Sequence, residues 1–129
     1  MTLFRLLPAA SLALLAGCAT APIEPTEPEV PRRVPVGLDA AQVAIVQQGV
    51  RGALRNPDSA WFGPMSAARG PDGTVVCGHV NARNRFGRTG RTPFVGQLET
   101  DIFLVAAIGG NEFPPEVVTR TCLDLGVRI

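Results

Sequence analysis

The chain has no lysine, no tyrosine, one histidine and one tryptophan in 129 residues, and only three cysteines. A structural zinc site draws four Cys or His ligands from paired spacings, and so short a supply in no such pattern leaves no metal or cofactor to expect. The phosphate-cradling loops G-x-x-x-x-G-K-[ST] and G-x-G-x-x-G are absent, as is the G-x-S-x-G elbow of a serine nucleophile. Neither sign of charge dominates. Twelve basic residues, all arginine, stand against eleven acids, a formal net charge of +1. Nucleic-acid binders usually carry a clear basic excess, so nucleic acid is not an expected partner. The apolar run from Leu6 to Ala16 spans about eleven residues, well short of the roughly 20 that cross a bilayer.

What is present begins at the N-terminus. Met1 to Arg5 carries one positive charge, the apolar run follows, and Leu15-Ala16-Gly17-Cys18 closes it. A basic start, a short apolar stretch and small residues read as a cleaved export signal over residues 1–17. The last four residues resemble a bacterial lipobox, which implies lipidation of Cys18, palmitate included. The alternative is ordinary cleavage after Ala21, since Ala19-Thr20-Ala21 also offers small residues at the needed spacing. Two or more acyl chains hold a protein on a membrane stably, where one is marginal. Ala19, rather than aspartate, follows Cys18; by resemblance to Gram-negative sorting signals this implies the outer membrane, facing the periplasm. Cleavage before Cys18 removes Arg5, leaving eleven arginines and eleven acids. Lipid on Cys18 also resolves the odd cysteine count, because Cys77 and Cys122 are left to pair in an oxidising compartment.

Residues 18–36 form a spacer. Prolines recur at 22, 25, 28, 31 and 35 with Glu24, Glu27 and Glu29 among them. Such spacing excludes helix and central strand and favours extended polyproline II. A single α+β domain is expected over residues 37–129: an N-terminal amphipathic helix on a small antiparallel sheet, a short C-terminal helix and one disulfide. Asp39 to Arg55 reads as that first helix, capped by Asp39, with Val43, Val46, Val50 and Leu54 on one stripe. Gly49 and Gly52 weaken it, and Asn56-Pro57 stops it. Trp61 and Phe62 are expected to fold back on the helix. Strands are expected at Ser66–Arg69, at Thr74–Ala82, and over Phe94–Leu98 and Ile102–Ile108, the last two as separate strands or one long bent one. Gly70-Pro71-Asp72-Gly73 is a turn. The final helix starts at Pro114-Pro115-Glu116 and ends at Gly126.

Candidate chemistry is sparse. His79 follows Cys77 by two residues and so shares its strand face. A thiol nucleophile there needs a free Cys77, which a disulfide removes. Ser59 and Ser66 lack a partner base in any known spacing, and Ser59 reads as local turn bonding. Glu99 and Asp101 present two carboxylates that a cell-wall hydrolase could use, although a solvated turn between two apolar runs explains them as well. The most distinctive segment is Asn81 to Pro93, where Arg83, Arg85, Arg88 and Arg91 surround Phe86. Guanidinium forks suit phosphate and carboxylate, so an anionic envelope component or an acidic envelope protein is the expected partner. A solvated hairpin loop is the plain reading of the same residues.

The stretch Pro57-Asp58-Ser59-Ala60-Trp61-Phe62, then Cys77-Gly-His-Val-Asn-Ala-Arg-Asn84, then Gly90 and Pro93-Phe94, resembles a recurring pattern. It is similar to small, uncharacterised bacterial periplasmic proteins and lipoproteins with a P-x-S-A-x-F segment and a C-G-x-V-N-x-x-N motif. The resemblance implies one domain with the arginine loop as a regular feature, and it implies no mechanism. The expected function is a non-enzymatic binding or structural module of the envelope, membrane-bound through its N-terminal lipid. The alternatives are a cell-wall-acting hydrolase using Glu99 and Asp101 and a small periplasmic inhibitor.

Overall fold

A computed structural model describes residues 17, 20–23, 32–83, 86–87, 89–110 and 112–129. Cys18, Arg85 and Arg88, the export segment through residue 16 and the spacer at 24–31 lie outside the described residues. The elements run β1 (Val34–Val36), α1 (Ala40–Ala53), a 3-10 turn (Pro57–Ser59), β2 (Trp61–Gly70), β3 (Gly73–Arg83), β4 (Thr89–Leu98), β5 (Phe103–Ile108) and α2 (Pro115–Asp124).

The five strands pair in sequence order, every pair antiparallel, with α1 in the connection from β1 to β2 and α2 after β5. The helices cover opposite faces. Val46 and Val50 of α1 pack with Val76, Val80, Phe94, Leu98 and Phe103. Val118 and Cys122 of α2, followed by Val127, pack on Ala68, Val75, Cys77 and Val95. A strand covered on both faces loses its alternating pattern, which is why Thr74 to Gly78 of β3 are buried without a break. The Cys77–Cys122 disulfide ties α2 to the sheet centre, with Cα atoms 6.2 Å apart. The α+β class, both helices and the disulfide are as the sequence leads one to expect.

Local chemistry explains the helix ends. Asp39 and Gln42 form a reciprocal capping box, each side chain bonding the other's backbone N–H at 2.8 and 3.0 Å. The C-terminal end comes earlier than Arg55: the Leu54 N–H turns to Arg51 O at 3.1 Å, and Leu54 becomes extended so that its side chain reaches the core. At the end of α2, Gly126 adopts φ +79°, its N–H bonds Leu123 O, and the Val127 N–H bonds Cys122 O. This Schellman closure turns Val127 inward, where it is buried. Gly49, which only weakens a helix by propensity, has a packing reason: a Cβ there would lie 2.7 Å from the Phe103 carbonyl oxygen.

Several segments differ from expectation. Strand β2 begins at Trp61, not Ser66, so Trp61 and Phe62 alternate onto opposite faces. Phe62 turns to the α1 side, edge-on to Phe94 at 6.3 Å and beneath the Arg51 guanidinium at 5.0 Å. Trp61 turns away from α1 and is 60% exposed. The long loop over 81–92 is mostly strand: β3 and β4 stay paired as far as Arg83 opposite Thr89. Residues 94–108 are two strands, their turn closed by the Glu99 N–H on Ile102 O. The fold also begins before residue 37, because Val34–Val36 pairs with Ala67–Arg69. Arg33, just ahead of β1, is ion-paired to Asp72 in the β2–β3 turn.

Candidate functional site on the α2 face

Alternation along β3 sends Cys77, His79 and Asn81 to the α2 side of the sheet. Helix α2 is clamped at Cys77 and lies chiefly over β4, so it covers Cys77 and leaves the rest of this row open. Register fixes the neighbours of that row. Asn81 stands opposite Trp61 on β2 and opposite Arg91 on β4. His79 stands opposite Pro93. One turn of α2, with Glu116 and Thr119, forms a wall facing His79 and Arg91 across a shallow cleft of ≈ 580 Å³.

Within the cleft, Arg91 Nη2 lies 3.2 Å from His79 Nδ1. A guanidinium can only donate, so Nδ1 is the accepting nitrogen and the proton of the neutral ring sits on Nε2. Partial burial, and secondarily the Arg91 charge, push the His79 pKa below the usual 6.5. His79 is thus a neutral Nε2–H donor at neutral pH. Its expected place on the same face as Cys77 holds, and the disulfide occupies the Cys77 sulfur. Thr119 is already committed, its hydroxyl donating to Pro115 O at 3.0 Å.

The expected arginine cluster is divided. Arg91 belongs to this trough. Arg83 and Phe86 instead border a second groove of ≈ 580 Å³ on the α1 side, where Leu54, Ala82 and Ile108 contribute apolar walls and Arg55 and Glu112 stand at the rim. Arg83 is also anchored through its backbone, its N–H donating to Ser59 Oγ and its C=O accepting from the Asn56 side-chain amide. Glu99 and Asp101 occupy the exposed β4–β5 turn and border neither cleft. Ser59 bonds the backbone, as its turn context implies. Among the described residues no three His, Cys, Asp or Glu side chains gather as a metal site. None of the described helices is long and apolar enough to cross a membrane.

Sequence reasoning did not single out Glu116 or Thr119, and it took Asn81 for a turn residue. Helical periodicity around Val118 and Cys122 implies which side of α2 is outward but not what that side leans toward. Trp61 carried a signal, as a lone large aromatic beside a turn, and only its facing was misjudged. No protein-family model, curated protein or solved structure matches this chain.

Proposed function

We propose that this chain is a lipid-anchored protein of the bacterial envelope whose folded domain is a non-enzymatic binding module for an anionic envelope component. Export and anchoring rest on the residues 1–17 signal and on Cys18, with the proline- and glutamate-rich spacer holding the domain off an outer membrane on its periplasmic side. The observation that carries the binding reading is Arg91, exposed beside His79 on an open cleft and in one cross-strand row with Asn81 and Trp61. Binding is favoured over hydrolysis because Glu99 and Asp101 stand in an open turn away from either cleft, where nothing excludes water or orients a glycosidic bond.

Two measurements test this. Cys18→Ser moves the protein from the detergent-requiring membrane fraction to the soluble periplasm; unchanged membrane association refutes the anchor. Changing Arg83, Arg85, Arg88 and Arg91 together to Ser weakens binding to purified envelope material, and in the wild type that binding falls as salt rises, since exposed charges are screened within about 10 Å at 0.1 M. Salt-insensitive binding that survives the quadruple change refutes the anionic partner. Peptidoglycan hydrolysis lost on Glu99→Gln with Asp101→Asn would replace the module by an enzyme.

A further inference from the structure

We infer that the sheet face carrying Trp61, Asn81 and Arg91 in one cross-strand row, with His79 beside Arg91, binds a saccharide bearing a single carboxylate, with the sugar over Trp61 and the carboxylate on Arg91. This rests on the anionic-partner reading and names both the face and the ligand class.

Trp61, Asn81 and Arg91 fall in one row across three strands, and His79 lies two residues along β3 from Asn81. Neighbouring strands lie about 4.8 Å apart, so the backbones of Trp61 and Arg91 are separated by about 10 Å, with Asn81 between them. Trp61 is the only tryptophan of the chain and is 60% exposed on a sheet face, where a large ring keeps an apolar surface in water. An indole suits the C–H face of a pyranose, which leaves the hydroxyls at the ring edge for polar partners. Asn81 supplies both a donor and an acceptor beside it, which fits a hydroxyl or an acetamido group. His79, held neutral with its proton on Nε2, adds a donor without adding charge.

Charge selects among anions. Arg91 commits one Nη to His79 and keeps the rest of its fork for a planar carboxylate. Glu116 on the facing wall repels a second negative charge, so a polyphosphate or a densely anionic polymer fits poorly. His79, Arg91, Glu116 and Thr119 share the cleft lining with Pro93, Pro115 and Ile129, a mixed surface that suits the polar edge and C–H face of a sugar better than an acyl chain.

Trp61 reports its own occupancy. The probe is the disaccharide of N-acetylglucosamine and N-acetylmuramic acid, which carries one carboxylate, titrated into the full chain in mild detergent while tryptophan emission is followed. N,N′-diacetylchitobiose is the neutral counterpart, and phosphatidylglycerol vesicles are the lipid counterpart. The acidic disaccharide is expected to shift the emission to the blue and to bind at least tenfold more tightly than the neutral one. By calorimetry, Arg91→Gln removes that preference and leaves neutral binding intact, whereas Trp61→Ala weakens both sugars at least tenfold. Equal affinity for the two disaccharides, no emission change at saturating sugar, or a shift with vesicles alone overturns the proposal. If the quadruple arginine variant loses envelope binding while Trp61→Ala retains it, the anionic-partner reading stands and this site falls.

Discussion

Ser59 Oγ accepts a hydrogen bond from the Arg83 backbone N–H at 2.9 Å while donating to the Asn56 carbonyl at 2.7 Å. The Asn56 side-chain amide returns to the Arg83 carbonyl at 3.0 Å. Two of these bonds join the segment Asn56–Ser59 to the far end of β3, and the third closes that segment on itself. They hold the β3–β4 ribbon extended past the point where its glycine- and arginine-rich composition suggests a loop.

Ser59→Ala is therefore expected to cost about 1 kcal/mol, the usual net worth of a hydrogen bond. In a domain of this size that lowers the melting temperature by about 4–8 °C. Amide exchange at Arg83 should rise with it. A melting temperature within a degree of wild type would mean that water replaces the hydroxyl without loss.

Two glycines of α1 should respond with opposite signs. Gly52 has open space around its Cβ position, and Gly52→Ala is expected to stabilise by up to about 1 kcal/mol through helix propensity. At Gly49 the new methyl meets Phe103 Cβ at 2.8 Å as well as its carbonyl. Overpacking of about 1–3 kcal/mol then outweighs the propensity gain, so Gly49→Ala destabilises. Urea denaturation of the two variants gives the comparison directly; stabilisation by both would show that α1 can lift from β5.

The Cys77–Cys122 bond closes a separation of 45 residues and is wholly buried. On the loop-entropy model its loss costs about 4 kcal/mol, a large share of the stability of a small domain. Both cysteines should resist alkylation in denaturant until a reductant is added. Labelling of both without reductant would show free thiols and return Cys77 and His79 to consideration as a reactive pair.

His79 should make stability depend on pH. Its pKa is lower in the folded chain than the usual 6.5, through burial and then Arg91. As pH falls below about 6.5 the unfolded chain takes up this proton first, so the contribution present above 6.5 is lost as pH drops toward the folded value. Arg91 on β4 and Glu116 on α2 are the charged groups that line the same cleft. His79→Gln is expected to flatten the stability profile between pH 7 and pH 5 relative to wild type. Superimposable profiles would remove the histidine as a source of pH dependence.

Much of the fold follows from local chemistry. Asp39 and Gln42 start α1, Pro57 prevents its continuation, Pro115 and Gly126 bracket α2, and Gly70-Pro71-Asp72-Gly73 turns β2 into β3. Each of these acts within a few residues, so periodicity and turn residues are enough to read them. The pairing of Cys77 with Cys122 follows from a count, once Cys18 is assigned elsewhere.

What the tertiary structure decided is everything that depends on which strand lies beside which. Glycines and arginines between residues 83 and 91 read as loop because loop chemistry is local, whereas the bonds from Asn56 and Ser59 that keep the ribbon paired come from a distant turn. Trp61 reads as a core residue by size, but β2 alternation turns Phe62 rather than Trp61 toward α1. Arg91 and Phe86 read as one cluster by spacing, and the sheet sends them to different grooves. A row running from Trp61 through Asn81 to Arg91 has no signature along the chain, because three strands of different register must pair before it exists.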